Sequence, residues 1–177
     1  MSVAPHAPTN ESARLFLALW PGPAARDALR EWRDAWHWPA SASPVQTEKL
    51  HLTLHFIGYV PRERLSDVSQ GLDVPFGGFE LSFGRATLWP RGLAVLQPNS
   101  VPVGLLQLHG LLHQALRRLE LPAEDRTFRA HVTLARRAVG ATPPTTGPGF
   151  SWRLRGYELM ESRLGAGGGY RVVRRYA

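Results

Sequence analysis

Two short stretches of the 177-residue sequence carry one pattern: His51-Leu52-Thr53-Leu54 and His131-Val132-Thr133-Leu134. On a strand, residues i and i+2 point to the same face. Each stretch therefore presents an imidazole and a hydroxyl together, while Leu52, Leu54, Val132 and Leu134 turn toward a core. Histidine is the side chain best suited to proton transfer near neutral pH. Threonine is stiff at χ1 and offers a fixed hydroxyl. If both strands border one cleft, two imidazoles face each other across a gap flanked by two hydroxyls. That arrangement suits an acid and a base on opposite sides of a phosphorus atom, with the hydroxyls holding its non-bridging oxygens. One His-x-Thr on a half-buried strand is usually only a satisfied polar face. Two copies in equivalent surroundings tip the balance toward chemistry.

The surroundings are indeed equivalent. Leu15 to Trp20 reads as a buried strand stopped by Pro21-Gly22-Pro23. Pro23 suits the first turn of a helix, and Ala25, Ala28, Leu29, Trp32 and Trp36 recur at helical spacing. A loop over 39–47 precedes the strand from His51 to Gly58. Leu93 to Leu96 is a second apolar strand, stopped by Gln97-Pro98-Asn99. A helix follows with Leu105, Leu108, Leu112, Leu116 and Leu119 on one stripe, then a loop, then a strand from His131. Arg14 lies 37 residues before His51, and Gly92 lies 39 before His131. Strand, proline turn, helix, loop and His-x-Thr-Leu thus occur twice, as expected of two lobes about a pseudo-two-fold axis. A short helix is expected over Leu65–Leu72. Strands are expected at Phe79–Phe83, Phe150–Leu154 and Tyr170–Tyr176, with loops at 140–149 and Gly165–Gly169. Strands and helices do not alternate strictly, so the fold class is α+β with antiparallel sheets. Residues 1–12 read as a disordered leader and 13–177 as one domain.

Composition removes several classes. The longest apolar run is six residues, so no membrane helix is expected. The N-terminus lacks the features of a secretory signal, which makes the cytoplasm the default expectation. With no cysteine, disulfides, thiol nucleophiles and cysteine-ligated zinc are excluded. Net charge is +7, and of the 21 basic residues all but Lys49 are arginine. Arginine pairs two-pronged with phosphate oxygens, so an anionic partner such as nucleic acid is plausible beside the plainer reading of a solvated surface.

The stretches RLFLALWP (14–21), HLTLHFIG (51–58), TFRAHVTLAR (127–136), YELMESRL (157–164) and YRVVRRY (170–176) are those by which the chain resembles the two-histidine phosphoesterase superfamily. Within it, the resemblance is to the bacterial RNA 2′,3′-cyclic phosphodiesterases, also called 2′-5′ RNA ligases. It covers residues 13 to 176. It implies a bilobed α+β fold, with two antiparallel sheets and outer helices around a central cleft. It implies hydrolysis of an RNA-terminal 2′,3′-cyclic phosphate to a 2′-phosphomonoester, without metal or other cofactor. A monomer with no membrane partner is the expectation. By position, His51 matches the general acid that protonates the departing O3′, and His131 the general base that activates water. Thr53 and Thr133 match the phosphate-binding threonines, and Arg136 an arginine that binds phosphate or stacks on a base. The same reaction run backwards is 2′-5′ ligation. Small cyclic nucleotides, an ADP-ribose cyclic phosphate, or RNA binding without chemistry are the alternative expectations. Where the family often has Phe-His-Pro before its second histidine, this chain has Phe128-Arg129-Ala130.

Phe56 and Arg136 each lie five positions after a histidine. Phe56 is a candidate for the opposite side of a base sandwich. Strict alternation puts both on the face away from the histidines, so they reach the site only if each strand bulges or ends first. By the same alternation His55 shares the face of His51 and Thr53. His109 and His113 have zinc-compatible helical spacing but no evident third ligand. Trp36 and Trp38 are expected to close the first helix on the core. Arg126 and Arg129 precede the second motif and Arg137 follows it, where some are candidates for holding the RNA backbone; by the resemblance, Tyr170 and Arg171 correspond to the family's last strand, which can reach the cleft.

Overall fold

The computed structural model describes residues 11–177. Most of the expected leader, residues 1–10, lies outside them. The leader's last two residues do not extend it: Glu11 O accepts a hydrogen bond from Arg62 N, and Ser12 already pairs with Pro61.

Strand β1 (Ser12–Leu19) alternates strictly. Ala13, Leu15, Leu17 and Leu19 are buried in the main core, whereas Arg14, Phe16, Ala18 and then Trp20 point to the other face. Pro21-Gly22-Pro23 ends it and starts α1 (Pro23–Asp34), with proline in the first turn as expected. Ala25, Leu29 and Trp32 form the buried stripe of α1. The two-residue β2 (Ser43–Pro44) and a single 3-10 turn lead into β3 (Leu52–Pro61). Then come α2 (Leu65–Gly71), β4 (Phe79–Trp89), β5 (Leu93–Pro98) and α3 (Val103–Arg118). The chain ends with β6 (Val132–Arg136), β7 (Phe150–Leu154), β8 (Tyr157–Ser162) and β9 (Tyr170–Tyr176).

All strand pairs are antiparallel. The order β7-β4-β5-β6-β3-β1-β8-β9 divides into two four-stranded halves, with β2 added beside β6. The halves join at one residue pair, Leu52 with Val132. Mapping β3 onto β6, β1 onto β5, β8 onto β4 and β9 onto β7 turns one half into the other, the pseudo-two-fold expected from the duplication. Each unit sends its helix across the join. α1 lies against β6 and β7, while α3 lies against β3, so the helices bind the halves together. Trp32 Nε1 donates to Pro148 O at 2.7 Å, pinning α1 to the loop before β7. Gly147 is required there, since a Cβ at that position would come 2.6 Å from the Trp32 ring.

β8 is the strand that simple alternation passes over. Tyr157 and Leu159 face the core, but the next core-side position is Glu161, and Met160 is buried on the opposite face. Glu161 is 2% exposed and is held by Arg62 and Arg171. No helix among the described residues is long and apolar enough to cross a membrane.

Candidate active site

The join places the two motifs side by side. From the antiparallel pair Leu52–Val132, one step along the register sets Thr53 across from His131 and His51 across from Thr133. Leu52 and Val132 are fully buried, so these four side chains lie on the face away from the core. Ala18 backs Thr53 and Val95 backs Thr133, the same row in each half. Thr53, His131, Thr133 and Arg136 line a cleft of about 630 Å³. His51 touches it through Thr53. A larger hollow of about 720 Å³ beside α3 is lined by apolar, glycine and glutamine residues and has no titratable group.

Both imidazoles are held alike. His51 Nδ1 lies 2.7 Å from Lys49 O, and His131 Nδ1 lies 2.7 Å from Arg129 O. A carbonyl only accepts, so Nδ1 carries the hydrogen in each neutral ring, and Nε2 is left with a free lone pair. At His51 that lone pair accepts from Thr53 Oγ1 at 3.0 Å. Burial lowers the His51 pKa to about 4. The Lys49 carbonyl opposes the shift, and the charges of Arg136 and His131 add to it. His131 is also lowered, first by burial, against its bond to Arg129 O, and further by the charges of Arg129 and Arg136. Arg136 is thus felt by both rings, as a group beside a shared phosphate would be.

Phe56 and Arg136 reach this face by the route their spacing required. Ala18 pairs with Thr53 but Leu17 pairs with His55, so Leu54 is an inserted bulge residue. Val95 pairs with Thr133 but Ala94 pairs with Ala135, so Leu134 is its counterpart. Each bulge falls on the last residue of a His-x-Thr-Leu motif and inverts the alternation beyond it. Phe56 therefore lies beside Phe16 on the cleft face and is 41% exposed, with the Arg14 guanidinium 4.7 Å from its ring centroid. The same inversion overturns the expectation for His55. It turns away from His51 and Thr53, is 3% exposed, and bonds through Nε2 to His109 O at 2.9 Å. His109 stacks between His55 and Phe128, at centroid distances of 4.0 and 4.1 Å. Among the described residues no group of three or more His, Cys, Asp or Glu side chains is arranged to hold a metal ion. Trp36 is buried and stacks on Trp38, closing α1 as expected.

Sequence reasoning missed two kinds of neighbour. Trp20 stacks on His51 at 4.9 Å with planes 6° apart, Phe16 lies 5.2 Å away, and Tyr170 meets the ring edge-on at 5.5 Å. Trp89 packs on His131 at 4.5 Å and carries the Arg129 guanidinium 4.0 Å over its own ring. Trp20 was legible as the next cleft-face position of β1 after Phe16 and Ala18. Tyr170 was expected near the cleft only through the resemblance, and nothing in the sequence alone ties Trp89 to a histidine.

Comparison with known proteins agrees with this architecture. Residues 19–96 match the family model described as LigT like Phosphoesterase. The RNA 2′,3′-cyclic phosphodiesterase of Escherichia coli (strain K12) is 36% identical over 173 residues, covering 94% of both chains. That of Thermus thermophilus is 31% identical over 170 residues, covering 85% of this chain and 82% of the relative. The crystal structure of E. coli LigT complexed with 3′-AMP superposes with a TM-score of 0.86 at 30% identity, covering 94% of this chain and 98% of the other. Sequence, fold and the paired His-x-Thr cleft agree: the chain belongs to the LigT-like phosphoesterase family.

Proposed function

We propose that this protein hydrolyses RNA-terminal 2′,3′-cyclic phosphate to a 2′-phosphomonoester. His51 acts as general acid and His131 as general base. Thr53, Thr133 and Arg136 hold the phosphate, while Phe56 and Arg136 hold the terminal base. The observation that carries this reading is the matched pair of imidazoles, each locked by Nδ1 to a main-chain carbonyl and flanking one residue pair at the edge of one cleft. Curated relatives that match nearly the whole chain are named for this reaction.

Water attacks phosphorus as His131 Nε2 takes its proton, and the new P–O bond forms. The P–O3′ bond breaks on the opposite side, and protonated His51 Nε2 gives its proton to O3′. One water is consumed, His51 ends neutral and His131 protonated, and exchange with solvent restores both. The Thr133 hydroxyl and Arg136 donate to the non-bridging oxygens, and the Thr53 hydroxyl, which donates to neutral His51, is released to do the same once His51 is protonated. With a nucleoside 5′-hydroxyl in the place of water, the same groups working in the same direction form a P–O5′ bond as P–O3′ breaks, which is 2′-5′ ligation.

The test uses a short RNA with a 2′,3′-cyclic end and a 2′,3′-cyclic mononucleotide. Wild type should open the RNA end to a 2′-phosphate. His51→Ala and His131→Ala should each lose roughly 100- to 10,000-fold in rate while remaining folded, the usual worth of a positioned acid or base. Wild-type turnover in either variant overturns the assignment. Opening of the mononucleotide but not the RNA moves the substrate class to small cyclic nucleotides.

A further inference from the structure

The two histidines share backbone anchoring but not surroundings. His131 is exposed to the cleft and touches one aromatic ring, Trp89, whose face is already occupied by Arg129. His51 sits in a box of three. Trp20 is stacked parallel on it, Tyr170 stands perpendicular to it, and Phe16 closes a further side. The box also coheres without the imidazole, since Tyr170 meets Phe16 at 5.1 Å and Trp20 at 5.8 Å, edge-on to both. Its members come from β1, the residue following β1, and the start of β9, so three separate points of the sheet converge on one ring.

We infer that Trp20 and Tyr170 are positioning residues for His51: stacked on its face and against its edge, they fix the ring plane and exclude water from it. The inference deepens the proposed reaction by naming what holds the proposed acid in line, and its structural part stands without that reaction. Two hydrogen bonds alone leave an imidazole free to rock about the axis joining them. A parallel indole at 4.9 Å removes that freedom, because tilting the ring drives it into the stack. Burial is the leading cause of the low pKa of His51, and these three rings are packed directly against it. The charged and titratable groups around it are Lys49, whose ammonium lies 5.9 Å from the Tyr170 ring, Arg136 on β6 and His131 just before β6. Phe16 and Trp20 contribute no charge, so changing Trp20 alters hydration and stacking alone.

The experiment compares Trp20→Ala, Trp20→Phe and Tyr170→Leu. The His51 ring is titrated by NMR without substrate, and steady-state kinetics are measured on a 2′,3′-cyclic mononucleotide. In Trp20→Ala the His51 midpoint should rise from about 4 toward the ordinary 6.5. Its kcat should fall roughly tenfold or more with KM changed less than about threefold, because a displaced reacting group costs chemistry rather than binding. Trp20→Phe should recover most of both. Tyr170 is 40% exposed, so Tyr170→Leu folds readily and should move the midpoint in the same direction. Unchanged midpoints in both Trp20→Ala and Tyr170→Leu overturn the inference. So does a loss carried by KM with kcat intact, which would make Trp20 a substrate-stacking surface. The titration is read without turnover, so failure of the proposed reaction and failure of the box remain separate results.

Discussion

His51 is proposed to give a proton, yet burial holds its pKa near 4 in the ligand-free protein. At pH 7 about one molecule in a thousand then carries that proton, and placing it there costs about 4 kcal/mol, from three units at 1.36 each. A cyclic phosphodiester brings one negative charge. At 4 Å and an effective dielectric near 20, opposite unit charges attract by about 4 kcal/mol. The two quantities match, so a substrate in the cleft should raise His51 to a pKa near 7 and draw in roughly half a proton at that pH. The sign follows directly: the bound state holds more protons than the free state, so affinity weakens as pH rises. Between about pH 5 and 6 the slope should approach tenfold per unit, and it should flatten above about pH 8, where neither state holds the proton. The measurement is calorimetric titration of His131→Ala, whose turnover should be too slow to interfere, with a 2′,3′-cyclic mononucleotide in buffers of differing ionisation enthalpy. Uptake should disappear when His51→Gln is added. No uptake between pH 6 and 8, or uptake that survives His51→Gln, refutes the reasoning.

Three further outcomes follow from particular contacts. Thr133→Val keeps shape but removes a donor to a charged phosphate oxygen, and should lower kcat/KM by roughly 10- to 100-fold in the cyclic-phosphate assay. Phe56→Ala removes a stacking face and should raise KM for a cyclic mononucleotide by about 5- to 100-fold, in line with about 1–3 kcal/mol per stacked base. Glu161 bears on stability rather than chemistry. Burial pushes its pKa up, but the hydrogen bonds and charges of Arg62 and Arg171 outweigh that and hold it below the usual carboxylate range. A depressed carboxylate stabilises the fold above its ordinary pKa, and that stabilisation is lost as pH falls through the lowered value. Glu161→Ala should cost about 2 kcal/mol at pH 7 in urea unfolding, because it removes a buried carboxylate and its charge-assisted hydrogen bonds to Arg62 and Arg171, and the deficit should shrink below pH 4.

Where the sequence was readable and where it was not divides by the range of the physics involved. His51, Thr53, His131 and Thr133 are recognisable because a strand's period of two is local: type and spacing alone put imidazole and hydroxyl on one face. The strand–turn–helix units around them are local too, with Pro23 opening α1 and the Leu105–Leu116 stripe defining α3. Alternation fails first at Leu54 and Leu134. A bulge is a mismatch between two strands, and it depends on β1 and β5 as much as on the motif strand. One extra residue in each motif strand turns Phe56 and Arg136 to the face of the histidines, and the one at Leu54 turns His55 to the core side. Likewise β8 was obscured because Glu161 occupies a core-side position that arginines outside the strand, chiefly Arg62 and Arg171, make tenable.

The chain's own order of residues determined which groups are available for proton transfer and that they come in two equivalent units. Tertiary structure alone decided that the units meet through Leu52 and Val132, and that His51 lies boxed by Trp20, Phe16 and Tyr170 while His131 stays open to the cleft. The reason is physical. Side-chain direction within an element follows from backbone geometry, but the hydration and electrostatics of a titratable group depend on whatever else folding packs against it.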